Sequence, residues 1–240
     1  MIRTLLLTSA LTIGMTSLAQ AQDTMDKDVI ENMMVTILTE NPEILITALQ
    51  TINEQQEQAR AELEARERRI REIAANEDGA PVFGNPDGDI TIVAFTDYNC
   101  TSCKDANNVI NSVVTEDGNV RVVYRDLPLM GENSMYSARA ALAADMQGKY
   151  ADFHNALMNL EGEANINSVL RVALDTGVDL NAMAKNIDSE DVSEMVNSTL
   201  SIYEEFNMEG TPTFFIGTTV ASGAPSAAVL REIISQEREK

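Results

Sequence analysis

The stretch ITIVAFTDYNCTSCK, residues 90–104, contains both cysteines of the chain and decides its fold. Its first eight residues form a continuous β-branched and apolar run of strand length, which is typical of a strand buried on both faces. The residues that follow, KDANNVINSVVTE, place Val109, Ile110 and Val113 at helical spacing. Cys100 is therefore predicted to lie at a strand-to-helix turn, at the N-terminus of the helix.

A second buried strand is predicted over residues 119–128, NVRVVYRDLP. Strand, helix and strand in this order form a βαβ unit with a parallel pair. Residues of about 132–207 have helical patterns almost without interruption, and GTPTFFIG and TTVASG then predict two short strands before a closing helix. The predicted fold class is α/β: a thioredoxin-like domain over residues 90–240 with a helical insert at about 132–207.

Residues 1–21, MIRTLLLTSALTIGMTSLAQA, have the three regions of a secretory signal peptide. A basic start at Arg3 precedes an apolar stretch, and the small-x-small pattern that signal peptidase recognises ends at Ala21. The sequence predicts cleavage after about Ala21 and a periplasmic protein. No other segment is long and apolar enough to insert into a membrane. The formal net charge of −21 argues against nucleic acid and anionic membrane surfaces as partners.

Residues 22–76 are predicted to form an N-terminal helical stalk. Apolar residues at alternating steps of four and three run from Leu45 to Ile73 as a heptad seam, interrupted by polar residues at Gln56 and Arg66. So long and polar a helix has little apolar surface to pack against within its own chain. Two explanations are therefore open: the seam packs on other copies of the chain, or the stalk is a single helix exposed to solvent. Polar seam positions often set oligomer state, which favours a homo-oligomer formed through residues 25–75.

Residues 77–89, EDGAPVFGNPDGD, are predicted to be a linker between the stalk and the catalytic domain. Gly, Pro, Asp and Asn dominate the stretch and are typical of turns. Its glycines would permit the catalytic domain to swing.

The two cysteines could form a metal clamp, a structural disulfide or a redox centre. A disulfide across two intervening residues closes a very small loop and restrains the unfolded chain little. Tetrahedral zinc needs about four ligands, more than two thiols and His154, the one histidine of the chain, supply. A thiol at the start of a helix has a stabilised thiolate and a lowered pKa. The pattern favours redox chemistry, with Cys100 as the attacking thiol and Cys103 as the resolving thiol.

The chain from about Pro81 onward resembles the DsbA-type thioredoxin-fold thiol–disulfide oxidoreductases. The resemblance rests on VAFTDYNCTSCK, YRDLPLMGENSMYSARAALAADMQGKYADFHNALM and EGTPTFFIG, in this order. The N-terminal ILTENPEILITAL and the long helix after it are similar to the oligomeric branch of that family, which includes ScsC-like disulfide isomerases associated with bacterial copper tolerance. The resemblance implies no cofactor, unfolded or misoxidised exported proteins as substrates, and a membrane redox partner.

The resemblance also implies roles for residues outside the cysteine pair. Pro212 is expected to be a cis-proline beside the cysteines, and Thr211 to bind a client peptide through its backbone. Thr101 and Ser102 are expected to tune the redox couple. They replace the Pro-His of the strongly oxidising members, which removes a cation-capable imidazole beside the thiolate. A less depressed pKa of Cys100 and a less oxidising couple are therefore expected.

Three functions are compatible with these features. An oligomeric isomerase or reductase would reshuffle or reduce wrong disulfides, whereas a monomeric oxidase would introduce disulfides into newly exported proteins. A non-enzymatic Cu(I) carrier would use Cys100 and Cys103 as two soft ligands, and apart from this alternative no metal is expected. The heptad stalk and the Thr-Ser dipeptide favour the isomerase or reductase.

Other polar and sulfur-containing residues are expected to have structural roles. His154 lies in an amphipathic segment and is interpreted as a packing or capping residue. Asp97 is either a proton acceptor near the cysteines or a solvated surface carboxylate, and Lys104 is expected to be solvated. The twelve methionines lie at helical spacing and are interpreted mainly as core residues.

Overall fold

The computed structural model describes residues 26–240. The predicted signal peptide, residues 1–21, and its cleavage site lie outside the described residues. Within residues 26–240, no helix combines the length and the apolar character needed to cross a membrane. The chain divides into two compact units, one ending at Arg60 and one running from Ala61 to Lys240.

Apart from β1, the helices and strands follow the predicted order. The helices of the described chain are α1 (Lys27–Glu40), α2 (Pro42–Asn76), α3 (Thr101–Asp117), α4 (Glu132–Asp145), α5 (Tyr150–Met158), α6 (Ile166–Asp175), α7 (Leu180–Asn186), α8 (Glu190–Glu205) and α9 (Ala227–Arg238). The strands are β1 (Val82–Gly84), β2 (Ile90–Thr96), β3 (Val120–Asp126), β4 (Thr213–Ile216) and β5 (Thr219–Ser222). They form one sheet in the order β1-β3-β2-β4-β5, in which β2 and β3 are parallel and the other pairs antiparallel. The thioredoxin-like fold with a helical insert is confirmed.

The first unit consists of α1 and the first half of α2. α2 begins at Pro42. Proline lacks a backbone N–H, but in the first turn of a helix this group would have no acceptor within the helix, so its absence costs no hydrogen bond. No residue between 26 and 60 is buried, and apolar side chains of the seam are about half exposed, with Leu49 at 60% and Ile52 at 48%. The part of the heptad seam that lies within residues 45–60 is therefore exposed to solvent in the single chain.

In the second unit, β2 is a central strand with both faces covered. Ile92 and Ala94 pack in the larger core with α3 and the helical insert. Val93 and Phe95, on the opposite face, pack in a second apolar cluster with residues of α2 and β4. The two covered faces explain why the sequence of β2 is continuously apolar. α3 then ends at Gly118, whose φ of 71° is a left-handed conformation that glycine adopts without a Cβ clash.

The structure corrects the expected linker and the end of the stalk. The last turns of α2 belong to the core of the second unit, where Ile70 and Ala74 are buried in the same cluster as Phe95. Residues 82–84, inside the predicted linker, form β1 and pair with β3. Sequence reasoning missed β1 because it has only three residues and the Gly and Pro around it are typical of turns.

Polar contacts fix the chain after α2 against the sheet. Arg121 Nη1 donates to the carbonyl oxygen of Ala75 at 2.8 Å. The fully buried guanidinium of Arg125 pairs with Glu77, with 2.6 Å between Nη2 and Oε2, and Glu77 also accepts a hydrogen bond of 2.6 Å from Ser198 Oγ on α8. Burial lowers the pKa of Arg125, and the Glu77 carboxylate opposes this effect. This segment is therefore a packed part of the second unit.

Replacing Ile70 by alanine tests whether the end of α2 belongs to this core. Ile70 is 4% exposed, and because its truncation leaves a cavity the free energy of unfolding should fall by about 2–4 kcal/mol, measured by urea unfolding. Ile166→Ala, at a position 51% exposed at the start of α6, is the control and should change this free energy by less than about 0.5 kcal/mol. Equal effects of the two substitutions would contradict the placement of Ile70.

Candidate active site

The cysteine pair lies at the carboxyl end of β2. The turn closes with a hydrogen bond of 3.1 Å from Cys100 N to the carbonyl oxygen of Asp97, and Cys100 is the N-cap residue of α3. Both cysteines are free thiols. Cys100 is 8% exposed, whereas Cys103, one helical turn along, is fully buried. Cys100 is thus the cysteine whose sulfur a substrate can reach.

Neutral groups surround the sulfur of Cys100. Ser102 Oγ lies 3.1 Å from Sγ, and the carbonyl oxygen of Thr211 accepts from the thiol at 3.4 Å. Burial raises the pKa of the Cys100 thiol, but hydrogen bonds from Cys103 and from the side chains of Ser102 and Thr211 outweigh it and lower the pKa below its ordinary value. Of the two residues between the cysteines, Ser102 contacts the sulfur and Thr101 is exposed.

The resolving thiol has the opposite environment. Burial, together with its hydrogen bond to the Cys100 sulfur, holds the pKa of Cys103 well above its ordinary value. The backbone N–H of Asp97 donates to Cys103 Sγ at 3.5 Å and only partly offsets this effect. Cys103 is therefore protonated at neutral pH and has to lose its proton before it can attack a mixed disulfide.

The loop before β4 lies beside Cys100. The peptide bond between Thr211 and Pro212 is cis, as the resemblance implied. Pro212 is buried and Thr211 is partly exposed, while Thr213 Oγ1 donates to the carbonyl oxygen of Gly210 at 2.7 Å within the same loop. The structure brings Thr211 to the surface next to the reactive sulfur. The role of Thr211 and Pro212 in substrate binding stays a prediction.

Asp97 joins the catalytic turn to the loop after β3, and neither interpretation of this residue from the sequence is correct. Its side chain is buried and accepts four hydrogen bonds of 2.7–3.0 Å, from Asn99 N, Leu129 N, Met130 N and Ser134 Oγ. The carboxylate is thus not a solvated surface group. Because its oxygens already have four donors, it is a structural acceptor rather than a proton acceptor for the cysteines.

Two further side chains join this turn to the loop between α5 and α6. Lys104 Nζ donates to the carbonyl oxygens of Leu160 and Gly162 at 2.8 and 2.9 Å, so the expectation that Lys104 is merely solvated is wrong. Burial lowers the pKa of Lys104. Asn99 Oδ1 accepts from Ala164 N at 2.8 Å. The lysine ammonium is therefore directed to backbone carbonyls rather than to the reactive sulfur.

A buried polar cluster lies between the sheet and the helical insert. Its members, none more than 4% exposed, are Tyr98, Asn107, Tyr124, Asp126, Tyr150 and His154. His154 Nε2 lies 3.1 Å from Asn107 Oδ1, and Nδ1 lies 2.9 Å from Tyr98 Oη. Since an amide oxygen only accepts, Nε2 carries the proton and Nδ1 accepts from Tyr98. Burial lowers the pKa of His154 to about 3, so this residue is a neutral packing group, as expected.

Asp126 is the acidic member of the cluster. Tyr150 Oη donates to its two carboxylate oxygens at 3.0 and 3.1 Å. Burial raises the pKa of Asp126 to about 7, against the opposing hydrogen bond from Tyr150. The charged form is therefore disfavoured in the folded protein below neutral pH.

The sequence contains a signal for both acids that pattern reasoning did not use. β2 and β3 are parallel neighbours, with Thr96 paired to Asp126, and Asp97 directly follows β2. Polar groups at the carboxyl ends of adjacent parallel strands meet at one edge of a sheet, where functional sites are common. The Tyr, Asn and His partners come from the turn after β2, from β3, from α3 and from α5. Only Tyr150 and His154, one turn apart on α5, are linked by their spacing in the sequence.

Comparisons with known proteins place the fold in a family. Residues 76–236 match the family model described as thioredoxin. A thioredoxin-like oxidoreductase from Silicibacter pomeroyi DSS-3 has 38% identity and a TM-score of 0.69, covering 71% of this chain and 98% of that one. Proteus mirabilis ScsC, as a mutant with a linker deletion, has 22% identity and a TM-score of 0.67, covering 92% of this chain and 99% of that one. At that identity the likeness to ScsC shows the fold alone.

Two kinds of curated protein are also similar. Disulfide bond formation protein D of Bacillus subtilis is 25% identical, over 66% of this chain and 77% of that protein. Na(+)/H(+) antiporter NhaA 1 of Salinispora arenicola is 26% identical over 60% of this chain. The chain spans only 22% of the length of that antiporter.

The fold and the cysteine pair together define the class, that of the thioredoxin-fold thiol–disulfide oxidoreductases. The family match covers most of the catalytic unit, and the oxidoreductase from S. pomeroyi is matched over almost its whole length. The chain belongs to the thioredoxin family. The Cu(I) carrier is not favoured, because the match is to oxidoreductases.

Replacing Ser102 by alanine tests the hydrogen bonding of the thiolate. The Cys100 thiolate loses a charge-assisted hydrogen bond, so its pKa should rise and its alkylation by iodoacetamide at pH 5 should slow by about threefold to tenfold. Mass spectrometry of quenched samples measures the rate. Ser102→Thr keeps the hydroxyl and is the matched control. Alkylation of Ser102→Ala at the wild-type rate would show that the hydroxyl does not stabilise the thiolate.

Replacing Asp126 by asparagine tests the raised pKa of the buried acid. The folded protein binds more protons at Asp126 than the unfolded chain between the ordinary pKa of 3.8 and about 7, so this group's favourable contribution to stability is complete below that window and is lost as pH rises through about 7. The unfolding free energy of Asp126→Asn minus that of wild type should therefore rise between pH 4 and pH 8, by on the order of a few kcal/mol. Urea unfolding at both pH values measures it, and a difference independent of pH would refute the raised pKa.

Proposed function

We propose that this protein is a periplasmic disulfide isomerase or reductase that acts on unfolded or misoxidised exported proteins through Cys100 and Cys103. The observation that carries the proposal is the neutral environment of the thiolate: the Ser102 hydroxyl lies against the sulfur, and the Lys104 ammonium is bound to backbone carbonyls. A thiolate without a neighbouring cation is less stabilised. The reduced form of the cysteine pair is then less favoured. We therefore expect this couple to be less oxidising than that of DsbA, whose potential is about −120 mV.

The reaction begins when the Cys100 thiolate attacks one sulfur of a client disulfide. The client S–S bond breaks, a Cys100–client disulfide forms, and the leaving client thiolate takes up a proton. In isomerisation, another client thiolate then attacks the mixed disulfide, forms a new client disulfide and regenerates the Cys100 thiolate, with no net oxidation. In reduction, Cys103 loses its proton and attacks instead, which releases a reduced client and leaves a Cys100–Cys103 disulfide. A dithiol of a membrane redox partner then has to reduce that disulfide.

The raised pKa of Cys103 favours isomerisation over immediate release. Because the buried Cys103 thiol is protonated at neutral pH, its attack on the mixed disulfide waits for loss of the proton. During this delay the client remains attached to Cys100 and its own thiols can attack the mixed disulfide. Attack by Cys103 on the mixed disulfide then releases those clients that do not rearrange.

The loop of Thr211 and Pro212 is proposed to hold the client beside the sulfur. The Thr211 carbonyl lies 3.4 Å from Cys100 Sγ, and the residue is partly exposed. An extended client segment can pair with the backbone of such a residue in the manner of an added strand. Pairing there would bring the client cysteine to the Cys100 sulfur.

The exposed seam of the first unit is proposed to form a homo-oligomer. Leu45, Leu49 and Ile52 are each 46–60% exposed in the single chain, and apolar side chains that recur along one face of an exposed helix are typical of an interface between helices. Association through residues 25–75 would place several cysteine pairs in one assembly. Several active sites acting on one client would suit the repeated exchange that isomerisation requires.

A dithiol oxidase is the second candidate. The name of the B. subtilis relative, Disulfide bond formation protein D, points in this direction. In that reaction a client thiolate attacks the Cys100–Cys103 disulfide, and a second client thiolate displaces Cys100, so the client gains a disulfide and the pair is reduced. The same residues serve both directions, and the redox potential of the pair separates them.

Two assays on one preparation of the chain without residues 1–21 test the direction. We expect strong refolding of a substrate with scrambled disulfides, weak oxidation of a reduced dithiol peptide, and a potential clearly more negative than about −120 mV in glutathione redox titration. Cys100→Ser should abolish both activities, whereas Cys103→Ser should retain part of the isomerase activity and trap mixed disulfides. Strong oxidation without refolding would establish the oxidase instead.

A stalk variant separates assembly from thiol chemistry. The double substitution Leu49→Lys and Ile52→Lys should reduce the particle mass measured by light scattering to that of one chain and lower the refolding activity. Oxidation of the small dithiol peptide should persist, because the cysteine pair is unchanged. Ile166→Lys, an exposed apolar position in the second unit, is the matched control. A wild-type protein that is already a single chain in solution would refute the oligomer.

A further inference from the structure

A groove of about 460 Å³ opens next to Cys100, on the side of the helical insert. Residues on both sides of Cys100 in the sequence contribute to it, and its walls come from the catalytic turn, the loop after β3 and the loop after α5. The lining includes Asn99, Thr101, Lys104, Met130, Leu160 and Glu163. The groove is therefore formed by a different set of loops from the one that carries Thr211.

We propose that this groove selects client segments that carry a lysine or arginine within a few residues of the reacting cysteine. The proposal deepens the proposed function and rests on it, because it names the chemistry of the clients that Cys100 attacks. A basic side chain with a long aliphatic stem matches the groove in two respects, its apolar wall and its acidic end. The cationic head is placed at Glu163, and the methylene stem lies along Met130 and Leu160.

The apolar wall of the groove is open to solvent. Met130 is 57% exposed, and Leu160 is partly exposed where it packs on the edge of the larger core. Leu129, next to Met130, is 38% exposed. A methionine that borders a site adapts to side chains of different shape. This wall therefore accommodates an aliphatic stem without requiring one particular residue.

The acidic end is oriented by a neutral side chain. Glu163 is exposed, and its Oε1 accepts a hydrogen bond of 2.7 Å from Asn133 Nδ2. Asn133 is neutral, so it directs the carboxylate without neutralising it. Lys104, the cation of the lining, has its ammonium bound to two backbone carbonyls. Glu132 and Glu161 are also exposed and adjoin Asn133 and Gly162 in the sequence, and a net charge of −21 attracts basic segments to the protein as a whole.

The walls of the groove are fixed before a client arrives. Asp97 binds the loop of Met130 through two backbone N–H groups, while Lys104 and Asn99 bind the loop of Leu160 and Glu163. All three side chains belong to the catalytic turn or the first turn of α3. Because binding does not have to order these loops, less of the contact energy is lost to conformational entropy.

Disulfide-linked peptide homodimers test the proposal with the full chain without residues 1–21. Each peptide carries one cysteine, and Lys, Glu or Leu is placed in turn at each of three positions on either side of it. Both sulfurs of a homodimer are equivalent, so reduced protein releases two peptide thiols and gains one Cys100–Cys103 disulfide. Chromatography of quenched samples measures the rate. Rates are divided by that of 2-hydroxyethyl disulfide, which has no side chain to fill the groove.

We expect the Lys peptide to react about fivefold faster than the Glu peptide at one or more positions, and the ratio to fall in 0.5 M salt. Glu163→Gln should bring the ratio close to one, Glu163→Lys should invert it, and Met130→Ala should slow the Lys and Leu peptides relative to 2-hydroxyethyl disulfide. Glu194→Gln, an exposed acid on α8, is the matched control and should keep the wild-type ratio.

Two results would overturn the proposal. Equal rates for Lys and Glu peptides at all positions, or a preference that Glu163→Gln leaves intact, would show that the groove does not select basic segments, while the thiol chemistry of Cys100 would still stand. Failure of the reduced protein to react with 2-hydroxyethyl disulfide would instead refute the proposed function itself.

Discussion

The hydrogen bonds to the Asp97 carboxylate hold the catalytic surface together. A carboxylate accepts several donors at once, and four donors from three neighbouring segments converge on this one. Asp97 is also the residue whose backbone N–H reaches the buried Cys103 sulfur. The resolving thiol and the loop that carries Met130 are therefore both hydrogen-bonded to the same residue. A shift of that loop and a shift in the environment of the thiol cannot be independent.

The thiol chemistry follows from contrasting solvation across one helical turn. Cys100 has access to solvent and hydroxyl groups, whereas Cys103 is enclosed by apolar side chains and its ionisation is opposed. The polar cluster behind them adds a group of neutral side chains, because burial keeps His154 uncharged and favours protonated Asp126. The polar cluster thus contributes hydrogen bonds with little net charge to the interior behind the pair.

Much of the fold was predictable because its strongest signals are local. The continuous apolar run of β2, the helical spacing after Cys103 and the second buried strand fix the parallel unit, and the cysteines lie at its one strand-to-helix turn. β1 and the buried end of α2 were missed for a physical reason: both are stabilised by contacts with residues distant in the sequence. Ile70 has the same helical pattern as the exposed Leu49, and only the presence of the sheet beside it makes it a core residue.

In the site, too, contacts between residues distant in the sequence could not be predicted. The cysteine pair, Ser102, Thr211 and Pro212 could be located from motifs, since each lies in or next to a recognisable stretch. Asp97 and Lys104 could not be assigned, because their partners are backbone groups of the loops at residues 129–130 and 160–162, and backbone groups leave no trace in a sequence pattern. His154 was interpreted correctly as a packing residue, although its hydrogen bonds to Tyr98 and Asn107 required the tertiary structure.

Because Ile70 and Ala74 are buried, a fragment of the chain that folds on its own and contains the cysteine pair has to include the end of α2. A recombinant fragment that starts after residue 76, at the boundary the composition suggests, would lack side chains that fill one face of the sheet and would leave Arg125 close to a new chain terminus. A fragment that starts near Ala61 keeps that face intact. Conversely, a protease that removes the stalk without inactivating the enzyme has to cut within α2 before that point, in the exposed part of the helix rather than in the glycine-rich segment after it.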